Sequence, residues 1–128
     1  MERRVITPDG LCAPPEPYSY GIKVGPTLYM AGQVALDADG QVVGTTVAEQ
    51  AEQVWANIRL TVEAAGGTLA DIVKVTYYLK DIRQLPEEIA VREQVFADGP
   101  LPCVTALQAA SLGLPELLLE VDATAVIR

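Results

Sequence analysis

The run Leu117-Leu118-Leu119-Glu120-Val121-Asp122-Ala123-Thr124-Ala125-Val126 puts two carboxylates inside an otherwise apolar stretch. Side chains alternate faces along a strand. Leu117, Leu119, Val121, Ala123 and Ala125 then share one apolar face, and Leu118, Glu120, Asp122, Thr124 and Val126 share the other. A strand this apolar lies deep in a sheet, where an unpaired carboxylate is costly. Glu120 therefore either has a strong partner, from backbone donors or a neighbouring subunit, or lies in a functional cleft. In a cleft its chemistry is proton transfer or the ordering of a water. Asp122 reads as structural or interfacial.

Other chemistries are narrowed by what the chain lacks. Histidine is absent, which removes Ser-His-Asp and Cys-His catalysis and the commonest metal ligand. Cys12 and Cys103 are far apart and in no metal spacing, so both read as reduced thiols and no metal site is expected. Cys103 has no cation beside it in sequence, whereas a reactive thiol needs an electropositive setting. No Gly-rich phosphate loop occurs; Gly66-Gly67 follows a helix rather than opening one. The net charge of −8 and the single basic pair Arg3-Arg4 argue against nucleic acid as a partner. No apolar run approaches the ~20 residues of a membrane helix. The first residues lack an apolar signal region, which points to the cytoplasm.

The elements that position Glu120 are marked by turns, caps and periodicity. Strands are expected over Tyr18–Val24 and Thr27–Gly32, joined at Gly25-Pro26. Asp37–Gly40 reads as a hairpin turn. Thr46-Val47-Ala48-Glu49 is a capping box that opens a helix to about Ala65. Ala51, Val54, Ile58, Val62 and Ala65 make its apolar stripe, with Trp55 packing beside it. Gly66-Gly67 ends it. Ile72–Lys80 reads as a strand with Val73, Val75, Tyr77 and Leu79 on one face. Pro86 fits the first turn of a second helix to about Phe96, whose buried side draws on Ile89, Phe96 and Val91 or Val95. Cys103–Ala110 and Leu117–Ile127 are the last strands.

This order predicts one α+β domain over residues 1–128, with both helices packed on one face of a single sheet. With 128 residues, half of them hydrophobic, and a mean hydropathy of +0.23, the chain is rich for a small monomer. The uncovered sheet face is then most simply covered by another copy, in a homo-oligomer. Glu120 and Asp122 would point toward that interface.

The residues resemble the reactive-intermediate deaminase family (RidA/YjgF). The matching pieces are Pro17-Tyr18-Ser19, Leu28-Tyr29-Met30-Ala31-Gly32-Gln33, Asn57-Ile58, Glu63-Ala64-Ala65-Gly66, Asp71–Thr76, Tyr78-Leu79-Lys80-Asp81, Val95-Phe96, Pro102–Leu112 and Leu119–Ala123, in unbroken order. The resemblance implies a chorismate-mutase-like fold, a homotrimer with clefts between subunits, and hydrolysis of enamines or imines to keto acids and ammonia with no metal or organic cofactor. It also implies that Tyr18 lines the cleft, that Gly32 offers its backbone to the ligand, and that Glu120 positions or activates water.

The pattern departs at several positions. Val104 stands where the deaminase type carries the arginine that clamps the substrate carboxylate. Valine cannot make that bidentate contact. Ala106 replaces the family's cysteine, and Ala31 a common serine. An apolar site floor without the arginine predicts a substrate less anionic or more apolar than a free 2-imino acid. Arg92 falls where relatives often carry an aromatic near the cleft. It reads as a substitute clamp or as a solvated helix charge paired with Glu88. The expected function is a RidA-like hydrolase acting on a small imine or enamine. The alternatives are a trimer that binds a metabolite without turnover, or a protein-interaction or chaperone-like role.

Overall fold

Tight turns set the first strands. Gly25 takes a positive φ of 57° and, with Pro26, closes a hairpin between β2 (Gly21–Val24) and β3 (Thr27–Met30). Strand β1 (Arg3–Ile6) pairs antiparallel with β2 on its free side. The computed structural model describes all 128 residues. The strands expected from Tyr18 and to Gly32 are shorter than that, because the chain on both sides turns to other partners. Tyr20 donates its hydroxyl to the Cys12 carbonyl at 2.7 Å. Gln33 leaves β3 altogether and bridges to Val121.

The capping box forms. Thr46 Oγ1 accepts from the Glu49 N–H at 3.1 Å, and Glu49 Oε1 accepts from the Thr46 N–H at 3.2 Å. This opens α1 (Val47–Ala64). Its expected stripe is the buried one: Ala51, Val54, Ile58, Val62 and Ala65 are all at most 2% exposed. Gly66, at a φ of 91°, turns the chain away from the helix.

The second half builds the sheet around its last strand. After β4 (Ile72–Leu79) a short 3-10 turn leads to α2 (Leu85–Val95), with Pro86 in the first helical turn. Then come β5 (Cys103–Gln108) and β6 (Leu119–Val126). Together the strands form one sheet in the order β1-β2-β3-β6-β4-β5. Only β4 and β5 run parallel, with α2 as the crossover between them; the other neighbours are antiparallel. This is the single sheet with two helices expected from the sequence.

Strand β6 alternates as its pattern requires. Leu119, Val121, Ala123 and Ala125 are buried in the core, and Glu120, Asp122, Thr124 and Val126 are half-buried on the other face. Two facings differ from expectation. A bulge between Ile72 and Lys74 breaks the alternation at the start of β4, so Ile72 is buried and Val73 is exposed. In α2 the buried side is Val91 with Phe96 and the carboxylate of Glu88, while Ile89 is half-buried. Trp55 packs as expected, edge-on to Phe96 at 5.1 Å between ring centres and tilted against Tyr77 at 6.3 Å.

Candidate functional site

Glu120 sits in the middle of β6 on the face the helices leave uncovered, directly across from Tyr78 of β4. Its carboxylate accepts no hydrogen bond from the protein. Burial, followed by the negative charge of Asp122, pushes its pKa up from the usual carboxylate value. Asp122 faces the same side and accepts a hydrogen bond from Tyr78 Oη at 3.0 Å. The Glu120 side chain is therefore the uncommitted carboxylate of the pair.

Gly32 lies against it. A methyl group built on Gly32 would overlap Glu120 Oε2 and come within 3.0 Å of Glu120 Cδ. The close approach has a backbone cause. Gln33 and Val121 exchange two bonds, with Gln33 N–H donating to Val121 O at 2.7 Å and Val121 N–H to Gln33 O at 3.0 Å. That antiparallel bridge brings Gly32 alongside the stretch of β6 whose outer face carries Glu120 and Asp122. The Ala31 N–H goes to Tyr20 O at 2.9 Å, but the Gly32 N–H donates to no protein acceptor. A free backbone donor and a free carboxylate thus share one spot on the sheet.

Buried amides on α1 hold this spot in place. Asn57 donates to the carbonyls of Val34 at 3.3 Å and Leu36 at 3.0 Å, fixing the segment that follows Gly32. Gln50 donates to Glu116 O at 2.9 Å and accepts from the Leu118 N–H at 2.8 Å, fixing the entry to β6. Asn57 entered the sequence reading only as part of the family resemblance and Gln50 not at all, because glutamine and asparagine inside a helical pattern carry no sign of burial.

Tyr18 joins the same group. Its ring meets Tyr20 edge-on, 5.7 Å between centres at 87°, and it lines one recess with Gly32 and Gln33. Burial raises its phenol pKa, and nearby charges that include Glu120 add to the effect. Ala31 is half-buried beside Gly32.

The other expected residues lie elsewhere. Val104 pairs with Val75 and Ala106 with Tyr77; both pack against the core on the helix side. On β5 it is Thr105, paired with Thr76, that shares the face of Glu120. Arg92 projects from α2 on the helix side too. Its guanidinium lies 4.5 Å from the centre of the Tyr77 ring, and its Nε donates to Glu88 Oε2 at 3.0 Å while Nη2 donates to Glu88 Oε1. The expected pairing exists, but it is not a solvated one. Glu88 is 1% exposed, so the helix charge is an ion pair set into the core. Within one protomer, Tyr18, Ala31, Gly32 and Glu120 form one group. Arg92, Val104 and Ala106 form a second on the opposite face of the sheet.

No helix is long and apolar enough to cross a membrane. Residues 11–127 match the family described as Endoribonuclease L-PSP. A RutC family protein of Pyrococcus abyssi is 35% identical over 126 residues, covering 98% of both chains. The 2-iminobutanoate/2-iminopropanoate deaminase of Bos taurus is 36% identical over 113 residues, 88% of this chain and 82% of the bovine protein. The crystal structure of the YjgF gene product of E. coli superposes with a TM-score of 0.91 at 30% identity, over 98% of this chain and 99% of that one. The fold, the ordered motifs and these likenesses agree: the chain belongs to the Endoribonuclease L-PSP family, the RidA/YjgF proteins.

Proposed function

We propose that the protein is a RidA-type hydrolase of a small imine or enamine, working in clefts between the subunits of a homotrimer. The observation that carries this reading is the Glu120–Gly32 pair. A half-buried carboxylate with a raised pKa and no protein donor stands against the Cα of Gly32, whose N–H has no protein acceptor. An imine carbon is already electrophilic, so the enzyme has little to add beyond an oriented water and a route for a proton. Glu120 orders and deprotonates the water. Gly32 N–H holds an oxygen of the substrate or of the tetrahedral adduct. Tyr18 walls the pocket, and Ala31 leaves it room.

The trimer is supported by the placement of the two groups. Both belong to one chain but lie on opposite faces of its sheet, so a single cleft containing both needs two subunits. The uncovered face also carries Tyr29 on β3, 56% exposed, and Leu107 on β5, 38% exposed, which favours its burial by another copy. Val104 and Ala106 then supply the apolar side of the cleft.

The test is release of ammonia and keto acid from freshly generated 2-iminopropanoate and 2-iminobutanoate. Acceleration over the spontaneous reaction supports a deaminase. A rate equal to the spontaneous one removes that reading in favour of a binding role.

A further inference from the structure

We propose that Arg92, held from behind by Glu88 and against the face of Tyr77, is the carboxylate-recognising group of the helix-side half of the site. This rests on the deaminase reading for its place in a cleft. It also changes that reading, because the substrate is then an anionic 2-imino acid and not the less anionic molecule that Val104 alone suggests.

Three observations converge. The first is the gradient of burial. Glu88 is 1% exposed and the Arg92 side chain 20%, so the carboxylate lies inside and the guanidinium outside it. A guanidinium has five N–H donors. Glu88 takes two of them, through Nε and Nη2, the Tyr77 hydroxyl stands close enough to act on the guanidinium, and no other protein group takes the rest.

The second is orientation. The Tyr77 ring lies under the guanidinium at 4.5 Å, which holds it from a second side. A planar fork held on two sides keeps its last edge ready for a two-point contact with an external carboxylate. An unpartnered arginine on a helix surface would have neither restraint.

The third is space. Ala106 lies beside Tyr77 in the parallel register, and Val104 lies beside Val75. Both are short side chains on the edge strand, and both are only partly buried. Tyr77 itself is fully buried, so the accessible surface here is that of the two short β5 side chains and of the Arg92 guanidinium. A buried carboxylate so near the core is hard to explain as packing, since Glu88 must be neutralised wherever it sits.

The pair acts on binding, so equilibrium binding tests it. 2-Oxobutanoate is the probe, with butan-2-one as the uncharged control of the same chain length, followed by ligand-observed NMR. The proteins are wild type, the double variant Glu88→Gln with Arg92→Met, and Glu120→Gln. The double variant leaves no buried charge unpaired, and a cooperative thermal melt confirms its fold. The expected result is that wild type prefers 2-oxobutanoate to butan-2-one, that the double variant loses this preference by about tenfold or more, and that Glu120→Gln keeps it. A general packing role for the pair would weaken both ligands alike. An unchanged preference in the double variant, or no preference in wild type, overturns the proposal. The two readings separate cleanly. Arg92-dependent binding without imine turnover sinks the deaminase reading alone. Turnover with an unchanged KM for 2-iminobutanoate in the double variant sinks this one alone.

Discussion

Gly32 and Glu120 approach so closely that no side chain fits between them. The contact follows from the Gln33–Val121 bridge, which ties the end of the β3 segment to the strand carrying the carboxylate. Gly32 is not at a positive φ, so its lack of a side chain answers to space and not to backbone conformation.

Gly32→Ala therefore pushes the Glu120 carboxylate off its position without straining the local backbone. Turnover of 2-iminobutanoate falls by about 100-fold, the scale of a misplaced catalytic group, while the far-UV circular dichroism and melting profile stay those of the wild type. Activity within about twofold of wild type would mean that the closeness is incidental.

The pH dependence follows from the direction of the Glu120 shift. The carboxylate form is the one that takes a proton from water. Its pKa is raised by burial and then by Asp122, so the acid limb of kcat/KM lies above the ordinary carboxylate range. Asp122→Asn removes the second cause and moves that limb to lower pH. A limb that stays in place shows that some other group titrates.

The same shift bears on stability with the opposite benefit. A carboxyl whose folded pKa is raised contributes stability below its unfolded pKa, and that contribution is lost as pH rises through the folded pKa. At neutral pH the charged Glu120 thus weakens the fold. Glu120→Gln raises Tm at pH 7 by about 2 °C, a figure kept small because the group is only half-buried. The gain disappears near about pH 3, where the wild-type carboxyl is also neutral. A lower Tm for the variant at pH 7 would show a stabilising partner for the carboxylate.

The Glu88–Arg92 pair is a coupled unit. Arg92→Met alone strands a buried charge and costs about 3 kcal/mol in urea unfolding. Adding Glu88→Gln recovers most of that loss, so the two changes are far from additive. Additive effects would mean that the pair is solvated.

Much of this was written in the sequence. Thr46 and Glu49 announce α1, and the alternation around Glu120 places it on the outer face of an apolar strand. Three things were not legible. The β4 bulge exchanges Ile72 for Val73, and nothing in a run of β-branched residues marks where the ladder slips. Glu88 and Arg92 at i and i+4 read identically on a wet helix face and over a core tyrosine. The difference lies in Tyr77, eleven residues before Glu88 in the chain, and in how α2 rolls onto the sheet. For the same reason the separation of Val104 and Ala106 from Glu120 was hidden, since the facing of an edge strand depends on its register with β4.

The role of Glu120 is tested most directly by comparing kcat for 2-iminobutanoate in wild type and Glu120→Gln at one pH, with 2-oxobutanoate binding measured on the same samples. The prediction is a loss of about 100-fold or more in kcat with binding retained. Full turnover in Glu120→Gln would contradict the assignment of Glu120 as the water-ordering base.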